Sequence, residues 1–91
     1  MQVNSNEMNY FDYLKLAKQK YKIILEKHPE IEGLSPRELE VFEYLLSDKS
    51  LQQIADELFI TYSSVHFHCK NIYRKLGISN RKQILIKYKD L

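Results

Sequence analysis

Apolar side chains recur at helical spacing along nearly the whole chain, and nowhere alternate with period two for long enough to predict a strand. The first run, from about residue 7 to residue 28, places Tyr10, Leu14, Ala17, Tyr21, Ile24 and His28 at spacings of 4, 3, 4, 3 and 4. That is a seven-residue repeat on one face of a helix, flanked by Phe11 and Leu25. Pro29 predicts its end, because a proline ring crowds the preceding residue out of the helical region. Residues 1 to 6 are polar and expected to fray, and residues 29 to 33 read as a short linker.

Four shorter helices are expected after it, each with its own start signal. Ser35 with Glu38 three residues on is a capping box, and Pro36 occupies the first helical position. Its inward face is Leu39, Val41 or Phe42, Leu45 and Leu46. Ser50 with Gln53 opens a second helix to about residue 58, with Leu51, Ile54, Ala55 and Leu58 turned inward. Thr61 caps a longer helix to Leu76, where Gly77 supplies a left-handed stop. Ser79 is expected to cap the last, over about residues 80 to 89, with Ile84, Leu85 and Tyr88 available for burial. The fold class is therefore all-α: a four-helix unit over 34–91, preceded by an N-terminal amphipathic helix and linker over 1–33.

Ninety-one residues make one small domain with an appendage, and at this size help from self-association is unsurprising. With one cysteine, Cys69, there is no internal disulfide, which suits a reducing compartment. No apolar run approaches the roughly 18 residues of a membrane helix, and the N-terminus lacks a signal pattern, so a cytoplasmic protein is expected.

Net charge is only +2, but its distribution is sorted. Between Thr61 and Lys89 stand seven Lys or Arg and no Asp or Glu, whereas residues 34 to 60 hold six acids against two bases. Such a map is the footprint of a surface that meets a polyanion. The helices joined by Phe59, Ile60 and Thr61, the second longer than the first, form a helix-turn-helix candidate, with small Ala55 allowing a close crossing. On a helical wheel Val65, Cys69, Ile72 and Leu76 form one buried stripe, while Ser63, His66, Phe67, Lys70 and Arg74 fall opposite. That outer face suits the major groove of double-stranded DNA. Lys70 and His66 can donate to guanine, and Phe67 can touch a thymine methyl. Tyr62 and Ser63 sit at a helix N-terminus that favours phosphate, with Ser64 and Asn71 completing the candidate surface. Arg74, Lys75, Arg81 and Lys82 are placed as phosphate anchors.

Residues 34 to 85 resemble the LuxR/GerE-type DNA-binding domain throughout. The matching pieces are the L-S-P-R-E-x-E-V opening, I-A-x-x-L-F-I, S-V-x-x-H, N-I-Y-x-K-L-G-I and the S-x-R-x-Q run, all in one register. The resemblance implies a four-helix bundle whose third helix enters the major groove and whose fourth often forms a two-fold dimer. It also implies base or groove contacts for His66, Phe67 and Lys70. His66 departs from the pattern, in which lysine is frequent, and Phe67 is bulky for a groove position. The receiver or ligand-binding domain usual in the family is not found in these residues.

Other readings have less behind them. His66 and His68 point about 200° apart on a helix and cannot share one metal ion. Cys69 lies on the buried stripe as a small core residue, and Glu38, Glu40 and Glu43 form a solvated face with a capping residue. No catalytic, cofactor or metal residues are therefore assigned. The N-terminal stripe can pair with a second copy, dock on the domain, or join an upstream module. The expected function is a bacterial-type transcription regulator that binds duplex DNA as a homodimer, through Ile84, Leu85 and Tyr88 or the N-terminal helix, and contacts or blocks RNA polymerase. The alternatives are a protein-interaction module working through the N-terminal helix and a sigma-factor-like promoter-reading fragment.

Overall fold

Each α-helix begins where a short polar side chain takes over a backbone N–H that has no partner inside the helix. A computed structural model describes residues 9–91, and among them every regular element is helical. Asn9 starts α1 (Tyr10–Lys27), accepting from the Asp12 N–H at 2.9 Å while the Asp12 carboxylate reaches back to the Asn9 N–H. The expected start near Glu7, and the expected fraying of residues 1 to 6, lie outside the described residues. Ser35 starts α2 (Pro36–Leu45) and Ser50 starts α3 (Leu51–Leu58), both through complete capping boxes. Thr61 starts α4 (Tyr62–Leu76), which Gly77 ends at φ 68°. α5 (Arg81–Lys87) is capped by Asn80, not by Ser79. The Asn80 side chain accepts from the Gln83 N–H at 3.0 Å, and the Ser79 N–H instead donates to the Gln83 side chain.

Residues 29 to 33 are more than a linker. They form a 3-10 helix (Pro29–Gly33), held by Ile31 N–H to His28 C=O at 3.1 Å and Leu34 N–H to Ile31 C=O at 3.0 Å. This short turn carries Ile31 into the core, where it is fully buried. A single isoleucine between acids has no periodic partner, so the pattern of the sequence gives it no weight.

The core gathers around α4. Val65, Cys69, Ile72 and Leu76 point inward against Val41, Phe42 and Leu45 of α2 and Ile54 and Ala55 of α3. Ile84 and Tyr88 close it from the last helix. Both Val41 and Phe42 are buried, and Leu39, Leu46, Leu51 and Leu58 pack at the core's edge. Two polar contacts clasp the turn after α1 to residues 88–90. The Tyr88 hydroxyl donates to Glu30 Oε1 at 2.9 Å, and His28 Nε2 donates to Asp90 Oδ1 at 3.1 Å. The Tyr88 ring meets Phe42 edge-on at 5.2 Å and His28 at 4.8 Å.

α1 stands partly clear of this body. Only its last turn and a half joins the core, through Ile24 and Leu25. Tyr10, Phe11 and Tyr13 are 70%, 77% and 58% exposed. The radius of gyration, 15.4 Å, exceeds the ~12 Å of a close-packed chain of this length, as a projecting helix requires. No helix among the described residues is long and apolar enough to cross a membrane.

Candidate nucleic-acid interface

The outer face of α4 is built by the same wheel that buries its inner face. Ser63, His66, Phe67, Lys70 and Arg74 are all exposed, while the stripe of Val65, Cys69, Ile72 and Leu76 is closed in the core. Ala55, with no exposure, lies under the crossing of α3 and α4. The turn between these helices is tight. Phe59 ends α3 in the left-handed region at φ 57°, and its N–H and that of Ile60 return to α3 carbonyls.

At the start of α4, Thr61 Oγ1 accepts from the Ser64 N–H at 3.0 Å and its hydroxyl donates to Ser64 Oγ at 2.9 Å. The N–H groups of Tyr62 and Ser63 have no partner among the described residues, so this helix end offers donors to an anion. Tyr62 stacks on His66 one turn later, ring centroids 6.3 Å apart at 23°. The stack fixes both rings along the same edge of the exposed face. Phe67 is 61% exposed and leans edge-on against His68, which is half-buried at the border. Farther along, Arg74 donates to the Asn71 side-chain oxygen at 3.2 Å, so Asn71 steadies the guanidinium.

Two of the residues expected to anchor phosphate have other partners. Lys75 Nζ lies 2.7 Å from Glu38 Oε1, and Glu38 is itself almost fully buried. Burial pushes the Glu38 carboxyl up, but the Lys75 ammonium and the Ser35 cap pull it down further, leaving it below its ordinary value. Arg81 turns inward and donates to three carbonyls at the end of α2: Leu45 at 3.1 Å, Tyr44 at 3.2 Å and Ser47 at 2.7 Å. It therefore acts as a C-terminal cap for α2. Lys70, Arg74 and Lys82 remain exposed and form no ion pair among the described residues.

The expected dimer surface is also reduced. Ile84 and Tyr88 are fully buried in the chain's own core, out of reach of a second copy, while Leu85 is 42% exposed. Helical spacing alone does not say which side of so short an amphipathic segment the rest of the fold covers. Ile86, 60% exposed, was not singled out, and neither was Phe59, 94% exposed beside the start of α4. Phe59 reads in the sequence only as a turn residue, and its left-handed backbone is what throws the ring outward. Cys69 lies in the core, where burial lifts its thiol above the ordinary range.

A family model described as bacterial regulatory proteins, luxR family, matches residues 32–88, more than half of the chain. Spore germination protein GerE of Bacillus subtilis (strain 168) is 45% identical over 53 residues, spanning 58% of this chain and 72% of GerE. Transcriptional regulatory protein LiaR of the same organism is 40% identical over 55 residues, 60% of this chain but 26% of LiaR. The HTH-type transcriptional regulator MalT of Vibrio campbellii (strain ATCC BAA-1116) is 36% identical over 66 residues, 69% of this chain and 7% of MalT. No solved structure matches the chain significantly.

Proposed function

We propose that this chain, which belongs to the luxR family of bacterial regulatory proteins, regulates transcription by binding specific sequences of double-stranded DNA with α4 in the major groove. The observation that carries this reading is the outer face of α4: exposed, basic and without an acidic side chain anywhere from Thr61 to Lys89. An acid-free stripe along an exposed helix suits a surface that must approach phosphates from both sides of a groove.

Roles follow from position. His66 and Lys70, one turn apart, read base edges, with guanine N7 and O6 as the natural acceptors. Phe67 contacts a thymine methyl or the sugar wall beside it. Tyr62, Ser63 and Ser64 hold a phosphate at the start of α4, and Tyr62 also keeps the His66 ring oriented through their stack. Arg74, braced by Asn71, and Lys82 anchor backbone phosphates. Lys75 and Arg81 act mainly through the fold. With about three phosphates neutralised per chain, the slope of log K against log salt is about −3 per bound chain.

The chain works as a homodimer in the bacterial cytoplasm, placing two α4 helices in major-groove faces about one helical turn apart. It occupies promoter DNA and there contacts or obstructs RNA polymerase. Of residues 1–33, the described ones (9–33) form an appended helical element, and residues 34–91 are the DNA-binding unit.

Fluorescence anisotropy of a labelled duplex, titrated at several salt concentrations beside Lys70→Ala/Arg74→Ala, tests the reading. Micromolar binding to random duplex that weakens steeply with salt and collapses in the double variant supports it. Binding that ignores both salt and the substitutions refutes it.

A further inference from the structure

Thirteen large apolar side chains stand exposed among the described residues, and seven of them belong to α1. Tyr10, Tyr13, Leu14 and Tyr21 share the helix face that farther along packs Ile24 and Leu25 onto the core. The face continues past the edge of the domain with nothing against it among the described residues. Beside it, a groove between α1 and α2 is lined by Tyr21, Ile24, Ile31, Leu39, Phe42 and Leu46, with Lys20 on one wall and Glu43 on the other.

We infer that this strip and groove form the interface with a second copy of the chain, each copy's α1 lying along the α1–α2 groove of the other. The inference deepens the proposed dimeric reading and rests on it for the number of copies.

Charge selects the occupant. α1 carries five lysines against Asp12 and Glu26. Residues 29 to 46, which supply the groove's far wall, hold five glutamates against Arg37 alone; Glu30, Glu38 and Glu40 have partners within the chain, leaving Glu32 and Glu43. Among the described residues Lys15, Lys18, Lys20 and Lys22, and Glu32 and Glu43 opposite, form no ion pair within the chain. Two copies related by a two-fold axis bring unpaired lysines to unpaired acids twice, so the surface is complementary to itself. An anionic lipid surface would meet the lysines but be repelled by the glutamates beside the same groove.

Area agrees. At their observed exposures Tyr10, Phe11, Tyr13, Leu14 and Tyr21 offer on the order of 500 Å². A standard interface removes about 800 Å² per partner, and the groove residues supply the difference. The exposed Leu85 and Ile86 of α5 offer far less.

The test is sedimentation of the full chain without DNA, with circular dichroism as a check on folding. The wild type is expected to dimerise. Leu14→Glu/Tyr21→Glu is expected to weaken the dimer about 100-fold with its helix content kept. Glu32→Lys/Glu43→Lys and Lys18→Glu/Lys20→Glu are each expected to weaken it about tenfold, and their combination to restore it. A wild-type chain that stays monomeric at its solubility limit overturns the inference. So does a dimer that survives the α1 changes and is lost in Leu85→Glu/Ile86→Glu. Monomers that bind phosphatidylserine vesicles through Lys18 and Lys20 would assign the face to a membrane and overturn it too. Binding to a labelled duplex is measured in parallel. A chain that dimerises as described but ignores DNA sinks the proposed function and leaves this interface standing.

Discussion

Lys75 Nζ donates to Glu38 Oε1 at 2.7 Å, joining the last turn of α4 to the capping box that starts α2. Glu38 thus completes a helix cap and neutralises a lysine with one carboxylate. Glu38→Gln keeps the shape and removes the charge, and is expected to cost about 1–2 kcal/mol at pH 7 by urea denaturation. Because the folded carboxyl titrates below its ordinary value, its contribution is complete above that ordinary value and fades as pH falls through the folded one. The wild type and Glu38→Gln are therefore expected to converge in stability as pH falls well below the ordinary carboxylate range. A constant gap across this range would show that the charge of Glu38 is not what stabilises the fold.

Arg81→Ala is expected to destabilise the fold by about 1–3 kcal/mol, because three carbonyls at the end of α2 lose their charged donor. It should leave the salt dependence of DNA binding nearly unchanged. Lys82→Ala should do the reverse, sparing stability and lowering the salt slope by about one. Paired denaturation and anisotropy measurements on the two variants separate these roles. A lower salt slope in Arg81→Ala would return that residue to the phosphate surface.

Base reading is assigned to neighbouring positions on one face. Lys70→Ala is expected to cost about 1–3 kcal/mol on a selected site and to flatten preference at one base position. His66→Lys should move the preferred sequence while holding the affinity for random duplex. Tyr62→Ala should loosen preference at the His66 position, and Tyr62→Phe should retain it, since the ring makes the stack. Selection of binding sites from a randomised duplex pool reads all three. Identical preferences across the variants would place recognition elsewhere.

Phe59 is the one non-glycine residue with positive φ among those described, and almost none of its ring is covered. A bulky residue held there costs about 1 kcal/mol, with no packing in return. Phe59→Asn is expected to raise stability by roughly that amount, measured as a shift in urea midpoint. A loss of stability would mean the ring is held by contacts that its exposure hides. Weaker DNA binding with raised stability would mean the strained ring serves the interface.

The parts of this protein that were legible in the sequence are those decided locally. Ser35 with Glu38, Ser50 with Gln53, and Gly77 place helix ends through residues at most three or four apart. The two faces of α4 follow from spacing within one helix, so Val65 and Lys70 could be assigned inward and outward. What was not legible depends on distant partners. Arg81 and Lys82 are adjacent and alike in charge, and only the carbonyls at the end of α2 draw one inward. Ile84 and Leu85 are adjacent and alike in hydropathy, and only the rest of the core decides which is covered. Ser79 and Asn80 are both good caps, and the choice turns on where the chain leaves Gly77. The N-terminal stripe was visible as a repeat, but that most of it stands off the body is a fact of tertiary structure.

The clasp between the turn after α1 and residues 88–90 has a kinetic consequence. Tyr88 and Glu30 are 58 residues apart, and His28 and Asp90 are 62 apart. The packing of α2 and α3 on α4, by contrast, spans shorter separations, such as the 37 residues between Glu38 and Lys75. Closing the longer loop loses more chain entropy and must wait for the helices between to be in place. The clasp is therefore expected to form late and to open early. When it opens, the 3-10 turn with α1 and the final residues lose their hold on each other while α2, α3 and α4 stay packed, so the amides of Ile31, Leu34 and Tyr88 are expected to exchange with solvent well before those at the centre of α4.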